Sequence, residues 1–372
     1  MGQNPTSGVL SLQRRREIYA ICCEYDIIIC EDDPYWYLQF PSGTARNTTT
    51  TADSANTSFN PDQPMFANAE AVPEGWKSSG YDFLDSLVPS SISIDTEGRV
   101  IRLDTFSKTV APGCRLGWIT AQPAFVERIL RIAETSTQQP SGFVQSMIAE
   151  LLLGTDPADQ STKNKNKDDA KTGDAWNAAG WVRWIEGLRG NYERRMNSMA
   201  RILDNGKYLV KSGRRSSLAG STSDDDEWAV VEKTQIMSFD YPVGGMFLWL
   251  RVHFESHPLY HHYAKQNDGL SRLSHALWVF WTTKPYRVLV APGLMFSPTE
   301  AIRDAEGWKY FRLCFAAIDE DMLREVSERL RNGVQGFFRI KDKKVIEKIL
   351  ADDEAAVIAR EGLVSVAGIA GC

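Results

Sequence analysis

The sequence predicts an α/β protein with a mainly parallel sheet, on two observations. The run Asp26-Ile27-Ile28-Ile29-Cys30-Glu31-Asp32-Asp33-Pro34-Tyr35 is a continuous apolar segment that ends in acids, the pattern of a strand buried on both faces. A second strand is predicted from Val100 to Thr105, and segments of helical period alternate with the strands along the chain.

Leu10 to Tyr25 reads as a helix with Ser11 as N-cap. Ile18, Ile21, Cys22 and Tyr25 recur at helical spacing and are expected to pack on the sheet. Residues 41–91 are rich in Thr, Ser, Asn, Pro and Gly with few recurring apolar positions, and read as an insertion. After Val100 to Thr105 come a strand from Leu116 to Ala121 and a helix from Pro123 to Glu134, with Val126, Ile129, Leu130 and Ala133 on one face. A helix from Gly142 to Leu153 follows, and residues 154–177, polar and containing Lys163-Asn164-Lys165-Asn166-Lys167, read as a second insertion. Trp181 to Val210 is a predicted long helix with the stripe Ile185, Leu188, Tyr192, Met199 and Leu203. Ser212 to Glu227 is a third polar loop. Beyond it lie a strand from Gly245 to Val252, a turn at Ala291-Pro292-Gly293, a strand from Tyr310 to Ala316 and a helix from Asp319 to Arg331.

Composition bounds the function. The chain has 372 residues, 43% of them hydrophobic, enough for two domains with real cores. A net charge of −6 argues against nucleic acid or an anionic membrane as the main partner. Cys22, Cys23, Cys30, Cys114, Cys314 and Cys372 form no Cys-x-x-Cys pair and are expected to be reduced thiols. No apolar stretch approaches ~20 residues, and no charged-then-apolar leader is seen, so a cytoplasmic location is expected. His253, His257, His261 and His262 lack the carboxylate neighbours of a metal site, and no metal is expected.

The chemistry concentrates in Thr105-Phe106-Ser107-Lys108-Thr109-Val110-Ala111-Pro112-Gly113-Cys114-Arg115-Leu116-Gly117. Hydroxyls, a lysine and then an arginine after a strand suit a phosphorylated aldehyde. The lysine amine condenses with the carbonyl, while Thr105, Ser107 and the planar guanidinium of Arg115 donate to phosphate. Pyridoxal 5′-phosphate has those needs, together with a carboxylate at its pyridine nitrogen. The acids after the isoleucine run supply one at the carboxyl end of a strand, where ligands of open α/β sheets lie.

Asn4-Pro5-Thr6-Ser7-Gly8, Asp32-Asp33-Pro34-Tyr35, the Lys108 run and Arg312 resemble the fold-type-I pyridoxal-phosphate-dependent aminotransferases of class I/II. Arg14-Arg15-Arg16-Glu17-Ile18-Tyr19, Glu31 to Phe40 and Gly244-Gly245-Met246-Phe247-Leu248-Trp249 carry a narrower resemblance to the fungal aromatic amino acid and kynurenine/2-aminoadipate branch. The resemblance implies that Asn4 and Tyr35 flank the ring oxygen, Asp32 pairs with the pyridine nitrogen and Lys108 forms the Schiff base. It implies that Thr105, Ser107 and Arg115 bind phosphate, and that Arg312, with Asn4, holds the substrate carboxylate. Lys108, Asp32 and Tyr35 are thus the expected catalytic residues. The implied reaction is ping-pong transamination of an aromatic or 2-aminoadipate-like L-amino acid with a 2-oxo acid, by a homodimer. A lyase or decarboxylase on the same cofactor, or a vestigial cofactor binder, is the alternative.

The implied architecture is an incomplete large domain over residues 1–185, a smaller α+β domain over 186–335 and a tail of unknown role over 336–372. The family places Asn-Pro-Thr-Gly in the middle of the large domain, after a helix N-terminus that cups the phosphate and an aromatic that stacks on the ring. Here Asn4 stands near the start, so this chain by itself is expected to bind cofactor weakly and turn over slowly. Ser7 replaces a usual Gly, and Thr105 a usual Ser.

Overall fold

Ser11 caps helix α1 (Leu12–Glu24) by accepting from the Arg14 N–H, which satisfies one of the four orphan donors at a helix start. The computed structural model describes residues 2–41, 77–153, 178–213 and 230–354. The insertion at 154–177, residues 42–76 of the one at 41–91, residues 214–227 of the third polar loop, and 355–372 of the tail with Cys372 lie outside the described residues.

The face that α1 buries differs from the expected one. Leu12, Arg15 and Cys22 are buried, while Ile18, Ile21 and Tyr25 are exposed. Arg15 explains the rotation: its guanidinium pairs with Glu31 and donates to Ser91 Oγ at 2.9 Å. That contact turns the helix so that the isoleucine stripe faces outward.

Strand β1 (Ile29–Asp32) runs parallel to β2 (Val100–Thr105), and β2 runs antiparallel to β3 (Gly117–Thr120), in the order β1-β2-β3. Because β1 is an edge strand of this sheet, no described element covers Ile27 and Ile28. They are about half exposed instead of buried on both faces.

The core of this unit is Phe83, Leu87, Phe106, Cys114, Ile148, Trp181, Val182 and Ile185. It draws on helices α2 (Asp82–Asp85), α4 (Gly142–Leu153) and α5 (Ala179–Asp204). The stretch 77–91 is therefore packed structure rather than loop, anchored by Phe83 and Leu87. Helix α3 (Pro123–Thr135) buries no residue, and Leu130, Ile132 and, on α4, Phe143 stand exposed.

The described chain divides into two compact units, Met1–Arg194 with Tyr241–Met246, and Arg195–Asp240 with Phe247–Cys372. In the second, helix α5 stops at Asp204 rather than running to Val210. A turn at Asn205-Gly206 leads into β4 (Tyr208–Gly213), which pairs antiparallel with β5 (Val230–Gln235). Leu209 is buried between exposed Tyr208 and Val210, a period of two that belongs to a strand.

A four-stranded antiparallel sheet follows in the order β6-β7-β9-β8, from β6 (Met237–Ser238), β7 (Phe247–Val252), β8 (Ala291–Pro292) and β9 (Tyr310–Cys314). Its buried face carries Leu248, Leu250, Val252, Phe311 and Leu313. Helices α6 (Tyr260–Tyr263), α7 (Gly269–Thr282), α8 (Glu300–Ala305) and α9 (Glu320–Phe337) complete the unit. Trp281 of α7 meets Phe311 edge-on at 5.0 Å and donates its indole N–H to Leu330 O of α9 at 3.0 Å. This approach requires Gly333, since a Cβ there would lie 2.5 Å from Trp281 Cδ1.

The tail forms a helix, α10, over residues 343–354. It is held by buried Ile346 and Leu350 and by Glu347, which accepts from Tyr263 Oη at 2.7 Å and from Arg272 at 3.0 Å. No helix among the described residues is long and apolar enough to cross a membrane.

His257 is a buried titratable group in this unit. Its Nδ1 accepts from the Leu259 N–H at 3.1 Å, so Nε2 carries the proton and donates to Phe337 O at 3.1 Å. Burial lowers its pKa from 6.5 to about 4. The unfolded chain therefore binds the extra proton first. Stability from this group is complete above the unfolded value and drains away as pH falls toward 4, by up to about 3 kcal/mol. Urea unfolding should show a lower midpoint at pH 5 than at pH 7.5, and His257→Gln should flatten that difference. An unchanged pH slope in the variant would remove His257 as its cause.

Candidate functional site

Strand β2 delivers the reactive run. Its residues Val100, Arg102 and Asp104 are buried and point to one face, while Ile101, Leu103 and Thr105 occupy the other. Arg102 and Asp104 close a buried ion pair at 2.8 and 2.9 Å, and Arg102 lies over the Trp36 ring at 4.8 Å. The chain leaves the sheet at Thr105. Thr105 Oγ1 lies 3.0 Å from Ser107 Oγ and accepts from the Ser107 N–H at 3.1 Å, so the two hydroxyls sit side by side at the strand end. The Lys108 amine lies over the Tyr35 ring, 5.9 Å from its centroid. Behind the lysine, the indole N–H of Trp184 on α5 donates to Thr109 O at 2.7 Å and ties this turn to the long helix.

The turn ends in a short 3-10 segment, Pro112–Cys114, and Arg115 follows in the left-handed region with φ 46°. Arg115 is exposed, and Phe106 N donates to Leu116 O at 3.0 Å to close the loop.

Parallel register separates the three acids of the upstream run. Glu31 pairs with Arg102 and Asp32 with Leu103, so Glu31 lies on the Arg102–Asp104 face and Asp32 on the Leu103–Thr105 face. Glu31 accepts from the Ser91 N–H and hydroxyl and from Arg15. Asp33 is buried, and burial raises its carboxyl pKa. Asp32 is the exposed acid, on the face that ends in Thr105 and leads to Ser107 and Lys108. Tyr37 is taken up by the core, edge-on to Trp181 at 6.3 Å, with its hydroxyl pushed up to about 12 by burial.

Asn4 is exposed in a tight turn closed by Gln3 N to Gly8 O at 3.0 Å and Ser7 N to Gln3 O at 2.6 Å. Ser7 sits at φ 59°, the left-handed conformation for which glycine is the ordinary residue. Its carbonyl accepts from Val243 N at 3.3 Å, which fastens the turn to the strip Tyr241–Met246 of the same unit.

Arg312 lies in the second unit, on β9, half-buried on the face opposite Phe311 and Leu313. Its guanidinium carbon is 4.3 Å from the Phe247 ring centroid and 4.7 Å from that of Phe296. Among the described residues, no group of three or more His, Cys, Asp or Glu side chains could hold a metal ion.

No family model matches the chain. An aromatic amino acid aminotransferase of Schizosaccharomyces pombe is 28% identical over 342 residues, which is 92% of this chain and 55% of that protein. The L-tyrosine:2-oxoglutarate aminotransferase of Tapinella panuoides is 34% identical over 258 residues, 69% of this chain and 36% of that protein. The solved aminotransferase Aro8 of Candida albicans matches with a TM-score of 0.61 at 29% identity, over 91% of this chain and 56% of that one. Over the part it spans, this is the fold of a fold-type-I aminotransferase. The chain spans about half the length of the curated relatives it matches.

Aminotransferases of this fold use pyridoxal 5′-phosphate, and the donor set present here fits that group. An amine stands beside a tyrosine ring, with paired hydroxyls at the same strand end, a guanidinium one turn on, and an acid on the face that ends in the hydroxyls. Trp36 and Tyr37 pack against the core of the first unit, whereas Phe247 and Phe296 flank Arg312. Sequence reasoning passed over Trp184 and the Arg102–Asp104 pair. The partner of Trp184 is a backbone carbonyl 75 residues away, which leaves no local pattern, whereas Arg102 and Asp104 stand two apart on one strand, a spacing that puts both on the same face.

Proposed function

We propose that this chain carries the cofactor anchor and the substrate-carboxylate arm of an aminotransferase that exchanges amino groups between an aromatic L-amino acid and a 2-oxo acid. The observation that carries the reading is the Lys108 amine over the Tyr35 ring at 5.9 Å, beside the paired Thr105 and Ser107 hydroxyls. The names of the relatives supply the aromatic substrate class.

Thr105, Ser107 and Arg115 would bind phosphate, the guanidinium as a planar multi-donor fork and the hydroxyls as single donors. Asp32 would keep the pyridine nitrogen protonated, and Asn4 and Tyr35 would donate to the ring oxygen. The chemistry that pyridoxal phosphate supplies when bound is an aldehyde that accepts the amino group and a ring that draws electron density from Cα. Lys108 anchors the cofactor, and its Nζ takes the proton from the substrate Cα and returns it on the cofactor side, as base and then as acid. Arg312 would grip the α-carboxylate in two parallel hydrogen bonds, fixing which Cα bond is broken. One site serving both half-reactions gives ping-pong kinetics.

The same reading includes a cytoplasmic homodimer. Exposed Leu130, Ile132, Phe143 and Met147 on α3 and α4 are apolar surface that association would cover. The free cysteines at 22, 23, 30, 114 and 314 suit a reducing compartment.

The test is chemical. Protein loaded with pyridoxal phosphate and reduced with borohydride should carry the cofactor on the peptide that contains Lys108. Label on another lysine, or none, sinks the anchor assignment.

A further inference from the structure

We propose that Phe247 and Phe296 are positioning residues for Arg312, clamping its guanidinium so that the N–H edge is presented to a substrate carboxylate. The proposal rests on the reading of Arg312 as the carboxylate arm and deepens it.

The two rings reach the guanidinium from different elements. Phe247 opens β7, and the register pairs Phe247 with Cys314 and Trp249 with Arg312, so Phe247 is a diagonal neighbour of Arg312 on the same face of the sheet. Phe296 ends the 3-10 turn Gly293–Phe296, which follows β8, whose Ala291 pairs with Arg312 from the other side. The guanidinium carbon thus lies 4.3 Å from one ring centroid and 4.7 Å from the other, inside the range in which an aromatic face attracts a cation.

Neither ring is free to move away. Phe247 is buried. Phe296 meets Trp249 edge-on at 5.7 Å, and Trp249 stacks on Tyr310 at 5.2 Å with the planes 6° apart. The 3-10 turn itself is pinned at Gly293, where a Cβ would lie 2.5 Å from Gly307 O and 2.7 Å from Tyr310 O, so the backbone can approach only because the residue is glycine. A row of rings and a tight turn therefore brace Phe296 against Arg312.

The consequence is geometric. An arginine has five N–H donors in the plane of the guanidinium and none on its faces. Two rings at 4.3 and 4.7 Å from the guanidinium carbon restrict the rotamer freedom that a long side chain would otherwise lose on binding, and in this proposal they hold its in-plane donors toward a carboxylate. A bound carboxylate should feel this restriction, whereas an uncharged analogue that cannot use the fork should not.

The experiment compares 3-phenylpropanoate with 3-phenylpropanamide as ligands of the whole chain, followed by tryptophan fluorescence, alongside KM and kcat for an aromatic amino acid. Phe296→Leu should weaken the carboxylate about tenfold and the amide less than twofold, and raise KM about tenfold with kcat changed less than twofold. Phe296→Tyr, which restores a ring, should return both to near the starting values. Equal weakening of carboxylate and amide, or failure of Phe296→Tyr to rescue, overturns the positioning role. Arg312→Lys separates this from the underlying reading. If it weakens the carboxylate while Phe296→Leu does not, only the positioning proposal fails. If Arg312→Lys leaves carboxylate affinity unchanged, the carboxylate arm fails and takes the proposal with it.

Discussion

Alanine at Lys108 should slow amino-group exchange on the order of 10³–10⁴-fold, because in the proposed function one amine is both the covalent anchor and the group that moves the Cα proton. The side chain is half-buried and leans on the Tyr35 ring at 5.9 Å, a contact that contributes little to folding. The unfolding midpoint of Lys108→Ala should therefore stay close to that of the parent while the rate collapses. A small primary amine added to the variant should recover part of the rate, since it can supply the missing base without the tether. The measurement is the single-turnover half-reaction with an aromatic amino acid. A variant that keeps more than a tenth of the parent rate would falsify the dual role.

The largest expected effect on stability comes from Arg15→Met. Arg15 and Glu31 are paired with side-chain exposures of 4% and 10%. Removing the arginine leaves the carboxylate buried with only the Ser91 N–H and hydroxyl, at 3.0 and 3.1 Å, to solvate it. Breaking such a pair from one side costs about 3–5 kcal/mol, a large share of a typical folding free energy. Arg15→Met with Glu31→Gln should recover much of the loss, because the uncompensated charge is then gone. Arg14→Met, one residue away with a side chain 64% exposed, should cost less than about 1 kcal/mol. Urea unfolding of the four proteins decides it. A cost for Arg15→Met no larger than that for Arg14→Met would show that the pair is not what fixes α1.

The parts of the fold that were legible in the sequence were those set by local chemistry. Strand β2 occupies its expected residues, Ser11 caps its helix, and Gly142 to Leu153 is helical as its apolar spacing required. Long-range partners decided the rest. Ile18 and Ile21 have the spacing of a buried stripe, but the Arg15–Glu31 contact, 16 residues apart in sequence, turns them outward. The helix expected to reach Val210 ends at Asp204, because Leu209 alternates with Tyr208 and Val210 in a strand whose partner begins at Val230. The candidate site divides in the same way. Lys108, Thr105, Ser107 and Arg115 lie within eleven residues of one another and were readable as a unit. The separation of Asp32 from Glu31 and Asp33 needed the register with β2, and the flanking of Arg312 by Phe247 and Phe296 needed three elements to converge.

The spans that close this site are unequal. Twelve residues separate Thr105 from its partner Gly117, whereas 71 separate Asp32 from Leu103. By loop-closure entropy alone, the longer span costs about 1.6 kcal/mol more to hold shut. Lys108 with Thr105, Ser107 and Arg115 thus forms a short-range module, while Asp32 is recruited across the chain. On that ground, local opening is expected to part β1 from β2 before β3, the other edge strand, parts from it. In the proposed function, a partly opened molecule would then keep its grip on phosphate and amine but let go of the ring nitrogen, so loss of reactivity would precede loss of the ligand.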